Sequence, residues 1–172
     1  MWASVQAIPG LAVTFERGSF EDYQALAHLH YAPGRPATWA GVWRVRYRGG
    51  RGWRVAAVGV LSFAALSLRV RDDHLGLAGM GRSERGRWLN ANLRTISRVI
   101  VHPQFRGLGL AARMVRHVCG QCDVRYVDAL AAMGDVHPLF ERGGMRRLGG
   151  AAGEAAYFLF DREAAADERA GV

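Results

Sequence analysis

A β-branched run that leads through a glycine-containing loop into an apolar-striped helix constrains the fold more than any other feature of this chain. The strand is predicted over Arg94–Val101 and the loop over Gln104–Gly109. The helix carries its apolar stripe at Leu108, Ala111, Ala112, Val115 and Cys119. Small residues let backbone amides approach a ligand, and the unpaired amides at a helix start attract anions. This segment predicts an α/β fold with an anion-binding turn.

The other elements indicate a mixed, largely antiparallel sheet with flanking helices. Strands are predicted over Leu11–Phe15, Ala37–Arg48, Trp53–Leu68, Arg125–Ala131 and Tyr157–Phe160, and helices over Ser19–His30 and Asp135–Arg142. A glycine-rich turn over Gly49–Gly52 joins two of the strands in a hairpin. The polar stretch Arg69–Asn92 is predicted to be a long inserted connection with one or two helical turns at most.

Length and composition predict one soluble domain. The chain has 172 residues, of which 50% are apolar and 22% are charged, and these values exclude disordered and coiled-coil classes. We expect a domain over residues 1–163 and a flexible tail over 164–172. No apolar run reaches the length of about 18 residues that a membrane span requires, and the N-terminus does not resemble a signal peptide. We therefore expect a cytoplasmic protein without membrane contact.

The anion-binding loop resembles that of the GCN5-related N-acetyltransferase (GNAT) superfamily. The pyrophosphate loop of that family reads Arg/Gln-x-x-Gly-x-Gly/Ala, and Arg106, Gly109 and Ala111 match it. Phe140–Met145 is similar to the family segment Tyr-Glu-Lys-x-Gly-Phe, and the order of strands and helices agrees with the family's sheet. The run Asn90–Gly109 also resembles the acetyltransferase-like domain that is attached to certain ABC-type ATPases.

The resemblance implies a binding site for acetyl-CoA at the splayed centre of the sheet, between the strand that ends at Val101 and the strand from Arg125. By this resemblance, the cosubstrate's pyrophosphate would be held by Arg106, Gly107, Leu108, Gly109, Leu110 and Ala111. The pantetheine arm would pair with the strand backbone at Val99, Ile100 and Val101. The implied reaction is the transfer of an acetyl group to an amine.

Three positions depart from the family pattern. The tyrosine that often protonates the leaving thiolate falls at Phe140, the usual asparagine falls at Met133, and the strand glutamate that serves some relatives as a base falls near Thr95. Phe140 has no hydroxyl group, so acetyl-CoA binding is better supported than catalysis. An acetyl-CoA sensor or scaffold domain without turnover is therefore an alternative function.

Asp128 and His137 are the candidate catalytic residues. Asp128 lies in the middle of an apolar strand, where a carboxylate must be paired, hydrated or functional, so it is either an acceptor-side base or a structural residue. His137 precedes Phe140 and could relay a proton near neutral pH, or simply begin the helix. Thr95 and Ser97 could bind polar groups of a substrate or form cross-strand hydrogen bonds, and His102 is expected to fix a turn.

Cys119 and Cys122 form a C-x-x-C pair near His117, but we expect neither redox chemistry nor a metal site. The pair lies at the end of a predicted helix, where the dipole opposes thiolate formation. Zinc would require a fourth ligand that this spacing does not supply.

The charge pattern predicts a positive surface on the first hairpin. The chain contains 23 Lys and Arg and 15 Asp and Glu residues, for a net charge of +8, and every basic side chain is an arginine. No acidic residue lies between Asp22 and Asp72, whereas eight arginines do: Arg35, Arg44, Arg46, Arg48, Arg51, Arg54, Arg69 and Arg71. This surface is either a solvated face or a site for an anionic partner. We expect a small-molecule or protein amine acceptor with net negative charge, and a nucleic-acid-associated module is a further alternative without a supporting motif.

Overall fold

The strands form one mixed sheet with helices on both faces. The computed structural model describes residues 4–8, 11–31, 34–50, 52–132, 137–150 and 155–170. The strands are β1 (Ser4–Ile8), β2 (Leu11–Arg17), β3 (Gly41–Gly49), β4 (Gly52–Ser62), β5 (Leu93–Val101), β6 (Tyr126–Ala131), β7 (Arg146–Gly149) and β8 (Ala156–Asp161). The helices are α1 (Phe20–Ala27), α2 (Arg69–His74), α3 (Arg82–Asn92), α4 (Leu110–Gln121), α5 (Leu139–Arg142) and α6 (Arg162–Ala170).

The eight strands lie in the order β1-β2-β3-β4-β5-β6-β8-β7. All neighbours pair antiparallel except β5 and β6, which pair parallel. The mixed, largely antiparallel sheet with flanking helices is therefore confirmed. Strand β1 was not predicted, and its antiparallel pairing with β2 satisfies backbone groups that would otherwise lie at a sheet edge.

Two apolar clusters cover opposite faces of the sheet because side chains alternate along each strand. On one face, Met114 and Val115 of α4 pack with Val127 and Phe158 of the sheet. On the other face, Leu26 of α1 belongs to a second cluster on β3, β4 and β5. Asp128 lies between Val127 and Ala129, which both belong to the α4 cluster, so its side chain points to the α1 face.

The segment predicted to be a long connection is folded. It forms α2 and α3, and strand β4, predicted to reach Leu68, ends at Ser62. Leu77, Leu89 and Leu93 form a small apolar cluster of their own. The sequence pattern concealed these helices because their buried positions are few and include charged residues: Arg71 and Asp72 are both buried.

Two elements near the C-terminus were not fully predicted. Helix α6 covers Arg162–Ala170 and so extends into the segment after residue 163. Within the helix predicted over Asp135–Arg142, the described residues are helical over Leu139–Arg142, and His137 and Pro138 precede the helix. Met133, Asp135 and Val136 lie outside the described residues.

Candidate functional site: the opening between β5 and β6

Strands β5 and β6 separate after a short parallel pairing. They pair only from Leu93 to Thr95 and from Tyr126 to Asp128, with Thr95 opposite Asp128 as the last pair. β5 then continues to Val101 and β6 to Ala131 without pairing to each other. The splayed centre of the sheet is thus confirmed. Because backbone N–H and C=O groups require partners, the two facing edges can pair with a ligand that enters the opening.

A β-bulge bends β5 just above the last pair. Leu61 of β4 pairs with Ile96 and Val60 pairs with Arg98, which leaves Ser97 as the extra residue. The Ser62 hydroxyl lies 2.7 Å from that of Ser97, and the Ser97 hydroxyl donates to the Val60 carbonyl at 3.3 Å. Cross-strand hydrogen bonding by Ser97 and by Thr95 is confirmed.

The open end of the gap leads into the predicted anion-binding turn. Gly107 and Gly109 have φ values of 79° and 73°, which favour glycine because other residues are strained there. Gly109 is the N-cap of α4 and no side chain caps this helix, so its first amides are available to an anion. Arg106 is exposed, and its Nε donates to the Val101 carbonyl at 3.3 Å. His102 Nδ1 accepts from the Gln104 amide, which confirms its role in the turn.

Asp128 lies at the closed end of the opening with two hydrogen-bond donors. Asp128 is 2% exposed. Its carboxylate accepts hydrogen bonds from Thr95 Oγ1 at 2.6 Å and from the Tyr157 hydroxyl at 3.3 Å. Burial raises the pKa of Asp128 from 3.8 to about 6, against the opposing effects of Thr95, Arg71 and Tyr157. A carboxyl group with a pKa in this range can exchange a proton near neutral pH.

Tyr157 and Arg71 are the two neighbours of Asp128 that the sequence analysis missed. Both residues are 1% exposed. Arg71 donates to the Asp72 carboxylate at 2.7 Å and to the Ala65 carbonyl at 2.8 Å, and its charge lowers the pKa of the Asp128 carboxyl group. The signals available were the polar side chain in the apolar strand Tyr157–Phe160 and the adjacent opposite charges of Arg71 and Asp72.

Helix α2 lies close enough to the sheet to bring Arg71 near Asp128. A Cβ atom on Gly149 of β7 would lie 2.8 Å from Val70 Cγ2 of α2, so the absence of a side chain at Gly149 permits this approach. Arg146 Nη2 also lies 3.2 Å from His74 Nε2 of the same helix. The inserted segment therefore forms one boundary of the face to which Asp128 points.

His137 and Phe140 have different surroundings. His137 is exposed and, in the chain, lies between β6 and α5. It is not among the hydrogen-bond partners of Asp128. Phe140 is buried in the α4-side core, where its ring lies 5.1 Å from that of Phe158 at an angle of 28°. Phe140 therefore has a packing role.

The two cysteines are buried in the core. Burial raises the pKa of the Cys119 thiol to about 12 and also raises the pKa of Cys122, which disfavours the thiolate that redox chemistry requires. Within the part of the chain that the structure describes, no group of three or more His, Cys, Asp or Glu residues could hold a metal ion.

The predicted positive surface of the first hairpin is neutralised in part, at Arg44 and Arg46. Arg44 Nη2 pairs with Glu16 at 2.7 Å and its Nη1 with Asp22 at 3.0 Å, and Arg46 pairs with Glu16 as well. Arg71 pairs with Asp72 in the interior. Since strand register brings Glu16 opposite Arg44, acidic residues that are distant in sequence neutralise these arginines.

Comparisons with solved structures identify the fold. No family model and no curated protein sequence matches the chain. NAA60 of Arabidopsis thaliana, solved in complex with acetyl-CoA, is similar with a TM-score of 0.60 and 15% identity over 88% of this chain and 99% of that one. The aminoglycoside acetyltransferase AAC(6')-Ib, in complex with coenzyme A and kanamycin, gives 0.54 and 17% over 91% and 99%.

A third similar structure is the ribosomal-protein-S18-alanine N-acetyltransferase from Escherichia coli, with a TM-score of 0.51 and 12% identity over 86% of this chain and 90% of that one. All three are acetyltransferases of the GCN5-related superfamily. The chain therefore has the fold of the GCN5-related N-acetyltransferase superfamily.

Proposed function

We propose that this protein binds acetyl-CoA in the opening between β5 and β6 and transfers the acetyl group to an amine. The observation that carries this proposal is the separation of the two strands above the Thr95–Asp128 pair, with the uncapped start of α4 at the open end. An anionic group at the turn and an extended amide-containing arm along β5 fit these two features. Fold similarity alone would not support an activity.

The residues of the opening divide into a phosphate end and an acyl end. The amides of Gly107–Ala111 and the guanidinium group of Arg106 would hold the pyrophosphate, and the backbone of Val99, Ile100 and Val101 would pair with the arm. From Val101 back to Thr95 the strand spans about 20 Å, at ~3.3 Å per residue. An extended arm that begins at the turn is thereby directed toward Asp128.

In this proposal Asp128 is the base and His137 assists the leaving group. The amine nitrogen bonds to the acetyl carbonyl carbon, the carbon–sulfur bond breaks, and the sulfur departs with its electron pair. Ionised Asp128 accepts the proton that the nitrogen loses, and His137 or water supplies a proton to the sulfur. Orientation of amine and thioester supplies most of the acceleration, and acid–base assistance adds about 10²–10⁴-fold.

The similar structures support acetyl-CoA as the cosubstrate. NAA60 was solved with acetyl-CoA and AAC(6')-Ib with coenzyme A. The similar structures differ in what they bind or act on, since AAC(6')-Ib was solved with kanamycin and the Escherichia coli enzyme is named for the alanine of a ribosomal protein. The acceptor of this chain must therefore be inferred from the residues that line its own site.

A protein that binds acetyl-CoA without turnover is the second candidate. Phe140 favours it, since the ring at this position lies in the core against Phe158 and carries no proton to donate. The nucleic-acid alternative loses support because Arg44 and Arg46 are paired with carboxylates.

Release of free thiol from acetyl-CoA tests the proposal and separates the two candidates. Purified protein is incubated with acetyl-CoA and panels of small amines, polyamines and peptide N-termini. We expect amine-dependent thiol release that Asp128→Asn reduces at least tenfold without loss of CoA binding. Asp73→Asn, on the exposed surface of α2, is the matched control and should retain full activity. CoA binding without turnover of any amine would favour the second candidate.

A further inference from the structure

Arg98 is half-buried on the Asp128 face, whereas Arg48, another arginine of that face without an ion pair among the described residues, is exposed. Ion pairs account for the charges of Arg44, Arg46, Arg71 and Arg85. Among the residues that the structure describes, no carboxylate pairs with Arg98, whose Nη1 donates to the Ser97 carbonyl at 2.7 Å. Its Nε is buried without a hydrogen-bond partner. A buried donor without a partner costs free energy that an incoming acceptor atom can recover.

The β-bulge at Ser97 places Arg98 on the Asp128 face. Arg98 pairs with Val60 of β4, and Val60 and Ile100 both belong to the α1-side cluster. Ile96 belongs to the α4-side cluster, so strict alternation would place Arg98, two residues later, on the α4 face. The extra residue Ser97 shifts the alternation by one and places Arg98 on the opposite face. Arg98 therefore lies on β5 at the wall of the opening, about 10 Å along the strand from Thr95 at ~3.3 Å per residue.

The opposite wall of the opening is formed by β6. This wall is acidic at the closed end of the opening and apolar toward the open end. Leu130 lies on β6 two residues beyond Asp128, on the same strand face, and is 53% exposed. Tyr157, opposite Leu130 in β8, donates its hydroxyl to Asp128. An acceptor in this space would meet a carboxylate at one end, an apolar side chain beside it and a guanidinium group across the gap.

We propose that the acetyl acceptor is a compound that carries both an amine and a carboxylate, and that Arg98 binds the carboxylate. This inference rests on the acetyltransferase function proposed above. The amine lies toward Asp128, the intervening carbons contact Leu130, and the carboxylate receives hydrogen bonds from the Arg98 guanidinium group, which forms strong charge-assisted pairs. Arg98 is then a specificity residue, and the expected negative charge of the acceptor is recognised here instead of on the first hairpin.

The test compares acids with their neutral amides. The probes are glycine, β-alanine, 4-aminobutyrate and 6-aminohexanoate, each against the matching carboxamide, so that only the negative charge changes while the amine remains. Initial rates are measured with saturating acetyl-CoA, and CoA binding is measured in parallel for every variant. We expect at least one acid to exceed its amide in kcat/KM by about ten- to a hundredfold, the effect of a hydrogen-bonded charge.

Three variants assign the preference to Arg98. Arg98→Gln should abolish the preference by lowering kcat/KM on the acid to about the value on its amide, and Arg98→Lys should restore part of the preference. Arg87→Gln, which removes an exposed charge on α3, should keep the full preference.

Two results would overturn the proposal. One is equal use of acids and amides, or use of neither, by a protein that acetylates other amines. The other is an acid preference that survives in Arg98→Gln. Failure of the unsubstituted protein to bind CoA would instead contradict the proposed function. Failure of the acceptor proposal and failure of the proposed function are therefore distinguishable.

Discussion

The Thr95 hydroxyl donates a 2.6 Å hydrogen bond to the Asp128 carboxylate at the last residue pair that β5 and β6 share. The bond spans the point where the sheet opens. It also orients a carboxyl group that burial would otherwise favour in the protonated form, since a donor to the carboxylate stabilises its charge. The position of the opening and the protonation of Asp128 are therefore linked through one side chain.

Removal of either donor should raise the pKa of Asp128 above about 6. If ionised Asp128 accepts the amine proton, the acidic limb of the kcat/KM profile moves to higher pH in Thr95→Val and in Tyr157→Phe. Tyr126→Phe, on the same strand as Asp128, is the control and should leave the limb in place. An acidic limb that is the same in all four proteins would show that Asp128 does not act as the base.

The stability of the fold should depend on the ionisation of Asp128. Its folded-state pKa of about 6 exceeds the ordinary value of 3.8, so the folded chain retains a proton that the unfolded chain releases. The free energy of unfolding therefore falls as pH rises from about 4 to about 6 and receives no further change from this group above that window. Urea denaturation across this range should show the wild type losing up to about 3 kcal/mol relative to Asp128→Asn. A constant difference between the two proteins would contradict the perturbed pKa.

The ion pairs of the first hairpin should contribute to stability and not to CoA binding. Arg44→Met leaves Glu16 and Asp22, both largely buried, without their shared partner. We expect a loss of about 2 kcal/mol, below the 3–5 kcal/mol typical of fully buried pairs. Arg48→Met, an exposed position on the same strand, should change stability by less than about 0.5 kcal/mol. Equal stability of the two variants in urea titrations would indicate that the Arg44 pairs contribute nothing.

Phe140→Tyr tests whether a phenol at the family position can act in this protein. Because the ring lies in the core against Phe158, we expect CoA binding to persist and acetyl transfer to be kept, and to rise only if the added hydroxyl reaches the thioester. Parallel measurement of thiol release and CoA affinity checks this result. A large loss of turnover with intact CoA binding would show that Phe140 packs against the thioester.

The sequence was informative where a local pattern sufficed. The glycine turn, the amphipathic α4 and the strand that precedes them depend on neighbouring residues, and the parallel pairing of β5 with β6 follows from a strand–helix–strand order. Asp128 was recognisable as a polar residue in an apolar strand. Its partners Thr95 and Tyr157 lie 33 and 29 residues away, and only the folded register brings them together.

Charges and irregular elements were the features that the sequence left undetermined. Glu16 neutralises Arg44 across 28 residues, so the acid-free stretch carries less unpaired positive charge than its sequence indicates. Helix α2 buries Arg71 and Asp72 as an ion pair, and no periodic apolar pattern indicates such a helix. The bulge at Ser97 shifts Arg98 to the Asp128 face through one extra residue, which alternation alone cannot predict.

The thermal transition of the protein in the presence of CoA tests the central claim most directly. CoA binding to the folded chain should raise the melting temperature, with a stabilisation of about 2.7 kcal/mol at a hundredfold excess over the dissociation constant. Arg106→Gln should weaken this effect, and Gly109→Val should abolish it, because a β-branched side chain is strained at the positive φ of the α4 N-cap. Arg87→Gln is the charge-matched control. An unchanged melting temperature of the parent protein at saturating CoA would contradict the account.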